Sequence, residues 1–338
     1  MQRKTVLLLF GGESSEHDVS IMSARNIASA IDKQKYEIFY GYIDRQGKWW
    51  LREGVDDSSA DDLPQLIPLM GSGSFVANGA SKTIQPDVIF PALHGKNGED
   101  GSVAGLGALL HIPVVGCDMT AGALCMDKVA TKEILAKNDI NVVPYHTYRS
   151  GEKLPEHQEL FEKLGDVLFV KPSRAGSSVG VSKVESGDEL IKAIDEALKH
   201  DSTVLIESAV VGRELETAAL GNPPEHEISG VGEVVQDDNF YTYDEKYSED
   251  STSNVVIPAD LDEATVEKIR SEARKVYQVL GCRGLSRIDF FLSDDGKLYV
   301  NEVNTLPGFT NISMYPKLWQ QAGIGYAELI DRLIELAE

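Results

Sequence analysis

The stretch that decides the fold is RIDFFLSDDGKLYVNEVN, residues 287–304. Asp295-Gly296 lies near its middle, and an Asp-Gly pair between two apolar runs is a strong signal for a β-hairpin. A two-residue loop at this pair would place Asp294 opposite Lys297. We therefore predict a hairpin whose two strands are paired in this register.

The same register gathers four polar side chains on one face of the hairpin. Asp289 would lie opposite Glu302, and Arg287 opposite Asn304, and all four share a face because side chains alternate along a strand. The other face would be apolar and would point to a core. It consists of Ile288, Phe290, Leu292, Tyr299 and Val303.

Two carboxylates directly opposite each other need a partner. Their Cβ atoms would lie about 5 Å apart, where like charges destabilise a strand pair. Two carboxylates and an amide oxygen are ligands typical of Mg²⁺ or Mn²⁺. A solvated acidic face remains the alternative at this point. A calcium-binding EF-hand fits poorly, because its first and third loop positions would be Phe291 and Ser293.

Around this hairpin the chain divides into parts with different patterns. Residues 5–10, 37–43, 87–93 and 112–115 are typical of strands, and residues 20–31 and 103–110 of helices. This alternation predicts a doubly wound α/β domain with a parallel sheet, whereas residues 56–73 read mostly as loop.

The rest of the chain favours an α+β arrangement. We predict strands at 167–171, 181–184, 203–207, 214–220 and 228–235, and helices at 126–137, 190–198 and 261–280, with one terminal helix. The first two of these strands are joined by a Ser/Gly loop, with helices beside them, which favours an antiparallel layer.

Composition limits the classes of function. The 338 residues contain 32 Lys and Arg against 54 Asp and Glu, a formal charge of −22, which argues against a nucleic-acid partner. Residues 6–10 form too short an apolar run for a membrane span, and no secretion signal is recognisable. Cys117, Cys125 and Cys282 have no CxxC spacing, so we expect reduced thiols in a cytoplasmic protein.

Several segments could hold phosphate groups. The loop at 171–180 offers Lys171, hydroxyl groups and backbone N–H groups after a strand, and Lys128 opens a helix elsewhere. Glu207 and Glu214 could accept hydrogen bonds from ribose hydroxyls. Each signal alone is weak, since a mobile surface turn, a solvated lysine and an acidic rim are common, and no Walker A motif is present.

Six motifs in one order make the combination specific. They are GGESSEHDVS (11–20), ALHGKNGEDG (92–101), CMDK (125–128), VKPSRAGSSVG (170–180), RIDFF (287–291) and NEVNTLPGFTNIS (301–313). Over essentially its whole length the chain resembles the D-alanine–D-alanine ligase family of the ATP-grasp superfamily. The resemblance implies a three-domain ATP-grasp fold, with an N-terminal α/β domain at 1–121, a central domain at 122–212 and a C-terminal domain at 213–338.

The resemblance also implies roles for individual residues. It makes Asp289, Glu302 and Asn304 the ligands of two Mg²⁺ or Mn²⁺ ions, and Arg287 and the Gly308 backbone the oxyanion site. Nucleotide contacts are implied for Lys128, Lys171, Ser178, Glu207, Glu214 and Lys246. Catalytic or substrate contacts are implied for Glu16, Ser177, Tyr247, His94 and Ser313, with Tyr241 to Ser253 as a lid. For His94, proton transfer and substrate positioning both remain open.

Three positions bear on variation within the family. Ala175 stands where some members carry Glu, which could alter closure of the loop. Tyr247 is typical of dipeptide-forming members, whereas Phe is common in those that make D-alanyl-D-lactate. Met314 replaces an Arg found in some D-alanyl-D-serine enzymes.

The implied activity is ATP-dependent joining of two D-alanine molecules for peptidoglycan synthesis. The expected partners are D-alanine, ATP and a second copy of the chain, with K⁺ as a further candidate ion and with neither nucleic acid nor membrane. Two other readings stay open: an ATP-grasp ligase for another amino or hydroxy acid, and a non-catalytic nucleotide-binding module.

Overall fold

The computed structural model describes residues 3–56, 63–78, 82–176, 179–235 and 254–338. Strands in these ranges form three sheets. The first contains β1 (Lys4–Gly11), β2 (Tyr36–Ile43), β3 (Trp49–Arg52), β4 (Gln65–Leu69), β5 (Ser74–Asn78), β6 (Lys82–Ile84) and β7 (Val88–Pro91). The second contains β8 (Tyr145–Arg149), β9 (Leu168–Pro172), β10 (Ser182–Val184) and β11 (Thr203–Ser208). The third contains β12 (Gly212–Asn222), β13 (Glu225–Val235), β14 (Asn254–Val256), β15 (Leu285–Ser293) and β16 (Leu298–Asn304).

Helices pack on the faces of these sheets. They are α1 (His17–Ala30), α2 (Ser102–Leu110), α3 (Met119–Met126), α4 (Lys128–Lys137), α5 (His157–Leu164), α6 (Gly187–Ala197), α7 (Glu263–Val279), α8 (Met314–Gln321) and α9 (Tyr326–Leu336). The mixed α/β and α+β architecture expected from the sequence is confirmed.

The first sheet is only partly parallel. β1 runs parallel to β2 and β7 at its centre, as predicted, but β3 to β6 extend it in antiparallel order. Residues 56–73, expected to be mostly loop, contain the strand β4, and residues 57–62 of that range lie outside the described residues. The expected strand at 112–115 is only a bridge between Val114 and Ile89. β4 was not predicted as a strand because it contains Pro68 and fully buries only Leu66.

Both faces of β1 are covered, which confirms the doubly wound arrangement. Leu7 and Leu9 share a core with Val103 of α2, whereas Leu8 shares a different core with Ile27 of α1. Alternating side chains of one strand therefore serve two hydrophobic cores. The core on the α1 side also contains Trp319 of α8, so the end of the chain packs against the first sheet.

The second sheet is antiparallel throughout its described strands, as predicted. The helix expected at 126–137 is α4, which begins two residues later, because Asp127 is extended (ψ 98°) and its side chain accepts the backbone N–H of Ala130. Met126 ends the preceding helix, α3. Asp118 caps α3 in the same way. This break places Lys128 at the first position of α4.

The hairpin of the third sheet differs from its prediction at the turn. Ser293 N donates to Lys297 O (2.9 Å), so the loop has three residues, and Gly296 takes a positive φ of 79°. The predicted pairing of Asp294 with Lys297 was therefore wrong. One extra residue, Asn301, lies between the pairs Phe290–Val300 and Asp289–Glu302. This bulge restores the predicted pairing at Asp289.

Smaller features complete the fold. The bulge gives Leu298 and Val300, rather than Tyr299, to the buried face of the hairpin. α8 and α9 replace the single expected terminal helix. Cys117, Cys125 and Cys282 are buried free thiols. No helix within the described ranges is long and apolar enough to cross a membrane.

Candidate active site

One cleft is lined by residues that lie near strands of all three sheets. Of the residues singled out from the sequence, those that line it are Glu16, His94, Lys128, Arg287, Glu302, Asn304 and Gly308. Glu99, Ala175 and Gly176 also line it. Motifs far apart in sequence thus meet in space, and the cleft is the candidate active site.

Arg287 lies at the centre of the ionic network in this cleft. Its Nε and Nη2 donate to the two oxygens of Asp289 (2.8 and 2.7 Å), and Nε lies 3.0 Å from Glu216 Oε2. Burial alone would lower the pKa of Arg287, but Asp289 and Glu216 raise it well above its usual value. The guanidinium is therefore a permanent, rigidly held positive charge.

Three carboxylates cross the third sheet in one row. Asp289 pairs with Glu216 on β12 and with Glu302 on β16. Glu216 was not singled out from the sequence, although it stands two residues after Glu214 and so shares its face of the strand. That alternation was a usable signal.

The residues predicted to hold metal offer oxygen atoms on one face. Asn304 Nδ2 donates to Asp289 Oδ2 (3.0 Å), which leaves the Asn304 amide oxygen for another partner. Within the described ranges, no group of three or more His, Cys, Asp and Glu side chains is arranged to hold a metal ion. The candidate set of two carboxylates and one amide still fits Mg²⁺, which favours carboxylate, carbonyl and water oxygens.

Three lysines lie near carboxylates in or beside the cleft, one near Glu302 and two at Glu207. Lys128 Nζ donates to Ala175 O (2.8 Å) and lies 3.8 Å from Glu302 Oε2. Lys171 forms an ion pair with buried Glu207, whose other oxygen lies 2.5 Å from Lys132 Nζ. Glu207 is only 2% exposed, so its carboxylate sits between two lysines rather than on an open rim.

Lys171 interacts electrostatically with a residue of the cleft. Burial alone would lower the pKa of Lys171, but the charges of Glu207, Glu302 and Glu214 raise it. Lys171 is thus within electrostatic reach of the candidate metal ligand Glu302. Lys132 was not predicted, because nothing in the sequence marks one lysine of a helix as buried.

His94 has both ring nitrogens engaged. Nδ1 lies 3.0 Å from Leu306 O, which can only accept, so Nδ1 carries the proton. Nε2 lies 2.9 Å from Ser23 Oγ and accepts its proton. The ring is 4% exposed, and burial lowers its pKa. This arrangement suits a neutral imidazole that fixes neighbouring groups.

Glu99 is a buried acid that was not predicted from the sequence. Its Oε1 lies 4.0 Å from His94 Nδ1. Burial, with the nearby charge of Glu16, raises its pKa to about 8. It lies inside one of the quoted motifs, but an acid flanked by Gly98 and Asp100 gives no sign of its burial.

The remaining predicted residues lie at the edge of the cleft or outside the residues that the structure describes. Ser313 Oγ accepts from Thr310 N (3.1 Å) and lies near Gly308. Glu16 is buried beside Gly95 and Gly176. Ser177, Ser178, Lys246 and Tyr247 lie outside the described residues, as does the segment predicted to be the lid.

The buried neutral His94 predicts a pH effect on stability. Its folded pKa lies below the unfolded value of about 6.5. The stability that it contributes is therefore present above that pH and is lost as the pH falls towards the folded pKa. We expect the free energy of unfolding to fall more steeply between pH 7 and 5 in the unsubstituted protein than in His94→Asn, by at most about 1.4 kcal/mol per pH unit.

Urea unfolding at several pH values measures this difference. His157→Asn is the control, because His157 is exposed. Parallel curves for the unsubstituted protein and His94→Asn would contradict the prediction.

Comparison with known proteins identifies the family. The family model described as D-ala D-ala ligase C-terminus matches residues 134–335, and that described as D-ala D-ala ligase N-terminus matches residues 5–117. The chain belongs to the D-alanine–D-alanine ligase family. The resemblance drawn from the six motifs is confirmed.

Relatives of the D-alanine–D-alanine ligase family match along the full length. D-alanine–D-alanine ligase A of Chromobacterium violaceum is 45% identical over 100% of this chain and 96% of its own length. The VanG D-Ala:D-Ser ligase of Enterococcus faecalis has a TM-score of 0.91 and 34% identity, with 100% of both chains covered. A D-alanine–D-alanine ligase of Bacillus anthracis, solved in complex with ATP, has a TM-score of 0.76 and 30% identity, covering 99% of this chain and 97% of that one. The expected ATP-grasp fold is confirmed.

Proposed function

We propose that this protein joins two D-alanine molecules to D-alanyl-D-alanine and converts ATP to ADP and phosphate, for peptidoglycan precursor synthesis. The observation that carries the proposal is the cleft that Arg287, Glu302 and Asn304 line together with Glu16 and His94. The family and the names of the relatives support it.

The chemistry explains why the cleft needs so many charges. A carboxylate is a poor electrophile, so the first D-alanine is phosphorylated by ATP to an acyl phosphate. The amine of the second D-alanine attacks that carbonyl, and collapse of the tetrahedral species releases phosphate and leaves the peptide bond. Lys128 and Lys171 would hold the phosphates of ATP, and Glu214 would contact the nucleotide.

The metal ligands would act beside these lysines. Mg²⁺ or Mn²⁺ at Asp289, Glu302 and Asn304 would supply neutralisation of the charge that develops on the transferred phosphoryl group. Arg287 contacts Asp289, and Lys128 lies near Glu302, so both cations balance carboxylates of this set. K⁺ is proposed as an additional ion on the resemblance alone.

Arg287 and the backbone N–H of Gly308 would stabilise the oxyanion. Both line the cleft, and a removed donor in such sites costs roughly 3–4 kcal/mol of activation free energy. Glu16 would hold the ammonium group of the first D-alanine, and Ser313 the carboxylate of the second. His94 would position substrate, because both of its nitrogens are already engaged.

We further propose three domains at 1–121, 122–212 and 213–338, a cytoplasmic location and a homodimer. We also propose that the segment around Lys246 and Tyr247 closes over the cleft together with Ser177 and Ser178. Acyl phosphates hydrolyse, so closure would exclude water.

A substrate panel tests the function. Phosphate release from ATP is measured with D-alanine, L-alanine, D-lactate or D-serine, and the ligated product is identified by mass. We expect release with D-alanine and formation of the dipeptide. Preference for another acid would reassign the substrate, and tight nucleotide binding without release would favour a non-catalytic module.

Tyr247→Phe tests selectivity between ester and amide products. We expect the variant to raise the use of D-lactate relative to D-alanine by about tenfold, a change of about 1.4 kcal/mol, because a hydroxyl that favours the amine nucleophile is lost. The measurement is the ratio of kcat/KM values for the two acceptors. Tyr241→Phe in the same segment is the control, and an unchanged ratio in Tyr247→Phe would count against the assignment.

A further inference from the structure

A buried triad of charges lies beside the cleft. The carboxylate of Glu207 has one oxygen 2.5 Å from Lys132 Nζ and the other in an ion pair with Lys171. The side chains of Lys132 and Glu207 are each 3% exposed, and that of Lys171 is 16% exposed. One anion is therefore shared between a fully buried cation and a cation that still reaches solvent.

The charge balance of this triad decides what Lys171 can do. A buried ammonium facing one carboxylate alone forms a neutral pair, and such a pair attracts a further anion only weakly. Burial lowers the pKa of Lys132, and the adjacent charge of Glu207 opposes that shift. When both lysines are protonated, two ammonium groups on one carboxylate leave a net charge of +1. Burial alone would raise the pKa of Glu207, but both lysines hold it below its usual value, so the carboxylate is ionised.

Lys132 itself is poorly placed to touch a ligand. It does not line the cleft, and Glu207 stands between it and Lys171. Lys128, one helical turn earlier on α4, does line the cleft and reaches Ala175 O. One helix thus carries two lysines, one that lines the cleft and one that contacts Glu207 on the adjacent sheet.

We infer that Lys132 is a positioning residue, which shares the carboxylate of Glu207 and so leaves the charge of Lys171 available to the phosphates of the nucleotide. This inference rests on the proposed function, in which Lys171 binds ATP. It explains why a lysine is buried where an apolar side chain would pack at lower cost.

Nucleotide binding tests the inference directly. In Lys132→Met the carboxylate of Glu207 is left to Lys171 alone. We expect the Kd for ATP and the KM for ATP to rise about tenfold, with kcat and the KM for D-alanine changed less than threefold. Lys132→Arg keeps the charge and should stay within threefold of the unsubstituted protein. Lys137→Met, at the exposed end of the same helix, is the matched control.

A double variant separates charge sharing from packing. Glu207 is itself a candidate nucleotide contact, so the double variant Lys132→Met with Glu207→Gln is compared with Glu207→Gln alone. We expect these two variants to have Kd values for ATP within about threefold of each other, because no carboxylate charge is left for Lys132 to share. A role in packing alone would make Lys132→Met weaken ATP binding equally with and without Glu207→Gln, and that result would overturn the inference. Should Lys132→Met fail to fold, Lys132→Gln carries the same comparison, and unchanged ATP binding in either variant also overturns it.

Measurements on the unsubstituted protein distinguish a failure of the proposed function from a failure of the proposed role of Lys132. If it binds ATP but shows no release with D-alanine, the proposed substrate fails while the binding comparison still tests Lys132. If it ligates D-alanine and Lys132→Met weakens ATP binding equally with and without Glu207→Gln, only the role of Lys132 fails.

Discussion

Asp289→Asn and Glu302→Gln should each abolish D-alanine-dependent phosphate release, with kcat reduced by about 10³-fold or more. A bound divalent ion contributes several kcal/mol of transition-state stabilisation, and each 1.4 kcal/mol is a factor of ten in rate. An amide keeps the shape of the side chain but loses the negative charge that attracts Mg²⁺. Steady-state phosphate release over a range of Mg²⁺ concentrations measures the effect.

Asp295→Asn is the control for these variants. It makes the same change on the same hairpin, at an exposed position in the turn. Its turnover should stay within about twofold of the unsubstituted protein, since exposed ion pairs contribute little. Circular dichroism and thermal unfolding check that all three variants are folded. Normal turnover in Asp289→Asn or Glu302→Gln would remove the metal assignment.

The hairpin shows how far sequence reasoning reaches. The Asp-Gly pair located the turn, and alternation placed Asp289 opposite Glu302, which the structure confirms. The loop length was wrong by one residue, and the bulge at Asn301 compensates for it. No local pattern announces such a bulge, because it depends on how β16 must bend to keep both Val300 and Val303 buried.

The site residues that were not predicted from the sequence are buried by segments that lie far away in the chain. Lys132 is buried beside Glu207 of β11 and the ring of Tyr145 on β8. Glu99 is buried near Glu16 and His94, which come from other segments. Residues that are neighbours only in three dimensions leave no periodic trace in the chain. Glu216 is different, since its position two residues from Glu214 could have been used.

The first sheet illustrates a second limit. Its central strands are continuous apolar runs because both faces are covered, and these were found. Its outer strands β3, β4 and β6 are short and bury few residues. Strands that bury few residues carry a weak apolar pattern, so their sequences are hard to tell from loops.

Arg287→Lys is expected to lower kcat by about 10²–10³-fold, while the KM for ATP changes less than threefold. The guanidinium uses Nε and Nη2 to hold Asp289 and still faces the cleft, whereas a lysine offers one ammonium group. A single ammonium cannot satisfy the two oxygens of Asp289 and also donate to the oxyanion. The loss of one such donor has this effect on kcat in comparable sites.

Arg213→Lys provides a matched control for the paired carboxylate. Arg213 makes the same two-pronged contact, from Nε and Nη2 to the two oxygens of Glu233 (2.7 and 2.6 Å), in the same sheet and outside the cleft. Both variants lose a bidentate pair, and Arg287→Lys should lose more stability in urea unfolding because Arg287 and Asp289 are the more buried pair. Only Arg287→Lys should lose turnover, because only Arg287 faces the reacting groups. Equal kcat in the two variants would show that Arg287 serves the sheet and not the oxyanion.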